Sequence, residues 1–276
     1  MIDRNLHRDP VPLDNARHRA LRLALPVADW SPAAGLNAVF VAACEFGDVC
    51  GEFPIVFVRV DDGPDGKEQV APLAVLGLVR EQNLYLAGSA WRARYMPAVL
   101  RNYPFCIGRL DAQRLAVCVD MAWAGVRPGG CGDGVALFEG DGQPAPLLKE
   151  MQQRLQVLEG EIERTRHIGA RLLELGLLGE MQFSATLADG SIHRVDGFLT
   201  VDDKKMQDLP DAVVGELHRS GILGLIHQHW VSLGHMRGLV ERHLERSRGL
   251  PASLTVAGTT AGPAAPSAPA VPTTRH

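Results

Sequence analysis

From Phe53 to Asp120 the apolar residues come in short runs, PIVFVRV, VAPLAVLGLV, NLYLAG, YPFCIGRL and RLAVCVDMAW, separated by turn-rich pieces such as DDGPDG and LDAQ. Short runs rich in Val, Leu and aromatics and bounded by Gly, Pro and Asp read as strands, about five of them here. The intervals are too short for crossover helices between most of them, so neighbouring strands should be antiparallel. Several runs are apolar on both faces, which implies a sheet covered on each side. The pattern then changes period. From about Pro146 to Leu178, Leu148, Met151, Leu155, Leu158, Ile162, Thr165 and Leu172 recur at intervals of three and four, with Glu, Arg and Gln opposite. This spacing predicts a long amphipathic helix stopped at Gly176 and laid across the sheet.

A hairpin follows: MQFSATLA, the Asp189-Gly190 turn, then SIHRVDGFLTV. Phe183, Ala185, Leu187 and Ile192 share one face, whereas Val195, Leu199 and Val201 fall on the other. Either a bulge near His193 to Val195 shifts the register or the hairpin is buried on both sides. From Asp211 to Leu244 the pattern is helical, with Val214, Leu217, Leu225, Ile226, Leu233, Met236 and Val240 apolar. The glycines there predict two helical pieces broken near Gly221. Residues 247–276, almost all Ala, Pro, Thr, Gly and Ser, cannot bury enough apolar surface to order themselves and read as a disordered tail. The expected architecture is α+β: a predominantly antiparallel sheet packed against a long amphipathic helix and C-terminal helices. Residues 1–246 form the domain, as one unit or as two tightly joined halves, 1–135 and 136–246.

Composition narrows the partners. The chain has 276 residues and a formal net charge of -4, with 28 Lys plus Arg against 32 Asp plus Glu. The cations are scattered, so nothing suits a phosphate backbone and nucleic acid is not an expected partner. No run approaches about 18 uninterrupted apolar residues, and MIDRNLHRDPVPLDNARHR lacks an apolar signal-peptide core, so no membrane-spanning segment is expected. Cysteines 44, 50, 106, 118 and 131 are odd in number and lie mostly in apolar surroundings, which suggests buried thiols in the cytoplasm, with Cys131 the thiol expected to be exposed. Surface association by a route independent of a signal peptide is the alternative.

The search for chemistry turns first to HQHWVSLGHMRGLVERH. His227, His229, His235 and His243 lie at offsets of two, six and eight residues, not the three or four that bring helical ligands to one ion. No GxSxG, Ser/Lys pair or phosphate-loop spacing occurs, and Ser232 and the Gly129 to Gly134 stretch lack the required frames. No cofactor or metal is expected. Asp202-Asp203 sit between a strand and a helix, where carboxylates cap the helix N-terminus. The stretch NLYLAGSAWRARYMPAVLRNYPF differs in kind. Trp91, Arg92, Arg94, Tyr95, Arg101 and Tyr103 are the residue types that make rigid contacts in a binding pocket or interface, and they equally suit an irregular loop packed on a core.

The segments VPLDNARHRALRL, GLNAVFVAACEF, FPIVFV, LAVLGLVREQNLYL, YMPAVLRNYPF, AVCVD, ALFEGDGQPAP, DGFLTVDDKKMQDLP and LIHQHWVSLGHM, taken in order, resemble the SapC family over about residues 10 to 243. His18, Asn37, Glu45, Phe46, Tyr103, Pro104, Asp120, Gly197, Phe198, Asp202 and His229 match its pattern, and the Gly-rich loop after Asp120 and Trp230 depart from it. The resemblance implies a link to a bacterial surface layer or envelope and supplies no agreed active site. It suits a non-catalytic binding or accessory protein with a protein or small-molecule partner. The competing reading is an enzyme or enzyme partner in which His229, Asp120 and Asp202 converge on a small molecule or peptide. A third is a homo-oligomer assembled through the long helix.

Overall fold

A computed structural model describes residues 2–60, 68–110, 114–130, 133–186, 192–247 and 253–255. The DDGPDG turn, the Asp189-Gly190 turn, Cys131 and, apart from Ser253–Thr255, the tail beyond Ser247 lie outside the described residues.

The fold is α+β. One six-stranded antiparallel sheet runs, edge to edge, Ser253–Thr255, Leu178–Thr186, Ile192–Val201, Ile55–Val60, Gln69–Val75 and Ala38–Phe40. A separate three-stranded antiparallel sheet orders Pro10–Pro12, Leu115–Asp120 and Phe105–Arg109. The five apolar runs of the first half therefore do not make one sheet. Four become strands divided between the two sheets, and the fifth, NLYLAG, gives only the two-residue ladder of Leu86–Ala87 with Ala90–Trp91. That run is held irregular by its own polar groups. The Asn83 amide donates to the Ala33 carbonyl (3.0 Å) and accepts from the Tyr85 N–H (2.9 Å), while the Tyr85 hydroxyl donates to the Glu52 carbonyl (2.9 Å). Buried apolar residues from Leu6 to Leu244 form one connected core.

The long helix spans Pro146–Glu174 and buries all seven positions of the sequence stripe. Proline at its first position has no N–H to leave unpaired, and beyond its last turn Gly176 takes φ 64°. The helix packs on strands Gln69–Val75 and Phe105–Arg109. Gly169 permits the closest approach, since a Cβ there would lie 2.9 Å from the Val70 carbonyl oxygen. Thr165, the polar member of the stripe, donates to the Glu161 carbonyl (2.6 Å) and accepts the Ala43 N–H (2.9 Å). The stripe thus packs on the chain's own strands.

The hairpin does contain the bulge. Met181 faces Phe198 and Phe183 faces Val195, so Gln182 stands opposite two residues, Asp196 and Gly197. The extra residue lies just beyond the expected site because Gly197 can take φ 83°, the left-handed geometry such bulges require.

The C-terminal region has more breaks than the glycine pattern predicts. Helices span Asp203–Gln207, Asp211–Arg219, Ile222–Leu233 and Met236–Ser247. The break at Gly221 occurs as expected, with φ 79°. A second follows Leu233, where His235 bonds to the Cys50 carbonyl (3.0 Å). No helix among the described residues is long and apolar enough to cross a membrane.

Candidate functional site

The Trp91–Tyr103 segment is irregular for most of its length, so its backbone polar groups need partners outside a sheet or helix. Two glutamates provide them. The Glu52 carboxylate accepts the N–H groups of Arg94 (2.9 Å) and Tyr95 (3.0 Å). Glu45, only 4% exposed, accepts the Ala98 N–H (2.7 Å) and the Tyr95 hydroxyl (2.8 Å) on one oxygen and the Ala42 N–H (2.9 Å) on the other. The Trp91 indole donates to the Tyr95 carbonyl (3.0 Å), closing the loop on itself. Its ring lies nearly parallel to those of Phe53 and Tyr85, with centroids 6.3 and 6.2 Å away. Burial first, and the Glu45 carboxylate second, hold the Tyr95 hydroxyl above its usual range, so it remains a donor.

The six side chains expected to form one recognition surface divide into two groups. Trp91 and Tyr95 are half-buried and support the loop. Tyr103 is buried, and its hydroxyl donates to Asp120 (3.0 Å), whose other oxygen accepts the Asp9 N–H (2.8 Å). Tyr103 is therefore part of the interior and not of the surface, since it lies in the buried turn that leads into the strand Phe105–Arg109. Arg92, Arg94 and Arg101 are exposed. Many arginines elsewhere meet carboxylates, as Arg59 meets Glu68 and Glu180, and Arg171 meets Glu174 and Glu216. These three meet none among the described residues. Arg101 instead lies over the Tyr95 ring, 5.6 Å from its centroid.

Arg101 also opens onto a groove of about 590 Å³ between this segment and one flank of the long helix. Its walls include Cys44, Ala98, Val157 and Leu158 together with Glu150, Arg154 and Glu161. Val157 is 63% exposed, a large apolar side chain left beside the groove. Burial, reinforced by the Glu161 carboxylate, pushes the Cys44 thiol up to about 11, so the sulfur is protonated and a poor nucleophile. The helix's other flank borders a larger groove of about 790 Å³, lined by Ile107, Val117, Phe138 and Leu155 together with Gln152 and Glu163. Gly160 lies in that wall, and a Cβ there would meet nothing within 4 Å. Both grooves fall within the size range of ligand sites.

The groups weighed for catalysis are each occupied by a different structural contact. In the register that pairs Leu199 with Phe57, the next in-phase partners are Val201 and Ile55, but the strands separate there. His229 enters the gap. Its Nδ1–H donates to the Ile55 carbonyl (2.9 Å) and its Nε2 accepts the Val201 N–H (3.1 Å), which fixes the tautomer. The Ser232 hydroxyl accepts the Ile55 N–H (2.9 Å) and the Trp230 indole donates to the Val201 carbonyl (2.9 Å). Three side chains of one helix thus satisfy all four backbone groups of two strand ends. His229 is fully buried, and burial depresses its pKa to about 4. Asp202 caps the helix Asp203–Gln207 by accepting the Lys204 and Lys205 N–H groups, as the sequence predicts. Asp120 holds Tyr103 in the other sheet. None of the three lines either groove. The remaining C-terminal histidines diverge: His235 bonds to Cys50, His243 to the Gln82 amide, and His227 meets the Trp230 ring.

Sequence reasoning missed Glu52 altogether, considered Ser232 only as a nucleophile and set it aside, and knew Glu45 only as a matching position. A lone glutamate before an irregular run carries no periodic signal, and a serine in an apolar helix reads as filler. The pairing of Cys106 with Cys118 across the smaller sheet was also hidden, since it depends on strand register.

A family model described as SapC matches residues 13–239 of the chain. No curated protein and no solved structure matches it.

Proposed function

The chain belongs to the SapC family, and from that premise we propose that it is a non-catalytic binding or accessory protein of the bacterial surface layer or envelope, recognising an acidic partner through Arg92, Arg94 and Arg101. The surface-layer component rests on the family resemblance. The binding component rests on one observation: the loop that carries these arginines is fastened from below by Glu45 and Glu52, while its guanidinium groups have no carboxylate partner among the described residues. A loop held in place loses little entropy on binding, and guanidinium forks match carboxylate and phosphate geometry. The groove beside Arg101 has a mixed lining, with Ala98, Val157 and Leu158 beside Glu45, Glu150 and Glu161, so the acidic partner is read by the exposed arginines and not by the groove. The protein acts from the cytoplasmic side or reaches the surface by a signal-independent route, and fractionation of the native cell distinguishes these.

The test is co-sedimentation of the purified protein with isolated envelope fragments. The unmodified chain should pellet at low salt and be released at about 0.5 M salt, where charge is screened over a few ångströms. The triple variant Arg92→Glu, Arg94→Glu, Arg101→Glu should remain in the supernatant with an unchanged circular dichroism spectrum. Equal pelleting of both proteins, or of neither, overturns the reading.

A further inference from the structure

In the smaller sheet, Cys106 on strand Phe105–Arg109 stands directly opposite Cys118 on Leu115–Asp120. The ladder's phase can be read from its two ends. The Leu110 N–H bonds to the Arg114 carbonyl and the Asp120 N–H to the Pro104 carbonyl, each at 2.9 Å. Counting in twos between them puts Cys106 and Cys118 in a hydrogen-bonded pair. Such pairs hold their Cα atoms about 5.5 Å apart, within the range of about 4.4–6.8 Å that disulfides use. Directly opposed residues also project from the same face of the sheet.

Both cysteines are free thiols, 2% and 1% exposed. The surroundings favour one sulfur as the attacking group. The Cys118 S–H donates to the Ala116 carbonyl (3.8 Å), and the neighbouring Cys106 thiol lowers the Cys118 pKa while its own is raised. Gly108, next on the same face, leaves the room this sulfur occupies, since a Cβ there would lie 2.6 Å from Cys118 Sγ. The same point is 3.8 Å from the Ile2 side chain, which places the N-terminal segment over the pair. Cys44 and Cys50 lie outside this sheet.

We propose that Cys106 and Cys118 form a thiol–disulfide site in which a low-molecular-weight disulfide closes a bond between the two facing strands. The Cys118 thiolate attacks one sulfur of the reagent RSSR, forming a mixed disulfide and releasing RS⁻. Cys106 gives its proton to that RS⁻, and its sulfur displaces the second RS⁻, which takes a proton from solvent, balancing the one Cys118 lost on ionising. Two protein thiols and one RSSR thus become one intrachain disulfide and two RSH. Because the sulfurs are covered, the reaction proceeds through local opening of the N-terminal segment and is slower than at an exposed thiol. The closed bond would tie together the strands that carry Asp120 and follow Tyr103. The inference is independent of the arginine surface.

The experiment uses the full chain, oxidised glutathione as RSSR, alkylation of the remaining thiols, and mass spectrometry of the unreduced digest. The expected product is a peptide joining Cys106 to Cys118, two hydrogens lighter than the separate thiols. Its formation should raise the thermal midpoint by several degrees, reversibly on reduction, with no such rise in the double variant Cys106→Ser, Cys118→Ser. Cys106→Ser alone should stop at a glutathione adduct on Cys118. Both thiols staying free in the folded protein, or oxidised products that join Cys44 or Cys50 instead, would overturn the proposal. Should the serine variants not fold, the peptide map of the unmodified chain decides alone.

Discussion

In the C-terminal segment the imidazole of His229, the indole of Trp230 and the hydroxyl of Ser232 turn inward onto the backbone of two strands. In the Trp91–Tyr103 segment it is the backbone that is held from below, by Glu45 and Glu52, and three guanidinium groups turn outward. Both segments are crowded with residue types that carry chemistry, and in sequence both were candidates for it. They differ in what the polar groups do. At the strand ends, the side chains replace ladder bonds that the fold lacks, so their chemistry is already taken. At the loop, the buried Glu45 and the half-buried Glu52 satisfy the backbone and the cations remain available. Residue type alone does not distinguish a fastener from a recognition surface; burial and the identity of the hydrogen-bond partner do.

The contrast is broken most directly at His229. His229→Ala leaves the Ile55 carbonyl and the Val201 N–H without partners in the core and opens a cavity the size of an imidazole. At about 1–3 kcal/mol for each stranded group, the expected loss is about 4 kcal/mol, read as a lower urea midpoint with little change in slope. A loss below about 1 kcal/mol would show that the strand ends do not depend on this insertion. The same residue predicts an acid response. Its pKa is about 4 in the folded chain against 6.5 as the ordinary value, so between those limits the unfolded chain binds a proton that the folded chain does not. Stability is therefore fully present above pH 6.5 and falls as the pH drops towards 4, by about 3 kcal/mol from this group. His7, whose pKa burial also lowers, adds in the same direction. Urea midpoints measured across that interval should show the slope, and His229→Ala should flatten most of it.

The periodic parts of the fold were legible because a stripe or an alternation leaves a repeated trace. All seven positions from Leu148 to Leu172 are buried where a spacing of three and four put them, and of the two readings that the phase change after Ile192 allowed, the bulge is the one present, carried by Gly197. The division into two sheets was not legible, since antiparallel runs separated by short loops look alike whichever neighbour they choose. The candidate site was legible in part. Arg92, Arg94 and Arg101 could be picked from composition, but nothing local showed that Tyr103 would be drawn inside to meet Asp120. Glu52 reaches Arg94 across 42 positions and Glu45 reaches Ala98 across 53. Contacts of that range leave no pattern in a single sequence. The second break after Leu233 was missed for a similar reason, because His235 finds its partner at Cys50, far back in the chain.

The loop's foundation is expected to matter less than the strand wedge, though still measurably. Glu45→Ala removes the acceptor of the Ala98 and Ala42 N–H groups and of the Tyr95 hydroxyl. A loss of about 3 kcal/mol is expected from three stranded donors, two of them able to find water once the loop relaxes. Hydrogen exchange should then accelerate at Ala98 and its neighbours and remain slow in strand Ile55–Val60. Equal acceleration in both places would mean that Glu45 supports the whole core and not the loop, and the contrast between the two regions would lose its basis.

The smallest expected effect on stability falls on the arginines themselves. Among the described residues the Arg94 side chain meets no carboxylate, and Arg101 lies over the Tyr95 ring, a contact worth about 0.5–1 kcal/mol at an exposed position. Arg94→Ala should therefore move the urea midpoint by no more than about 0.5 kcal/mol of stability, and Arg101→Ala by slightly more, since it alone loses the ring contact. Capture of envelope fragments should nevertheless weaken in both variants. That combination, little cost to folding and a clear cost to binding, is the inverse of what His229 predicts, where a variant destabilises the fold without touching any exposed surface. A large stability loss in Arg94→Ala would mean that its guanidinium fastens the loop instead of reading a partner.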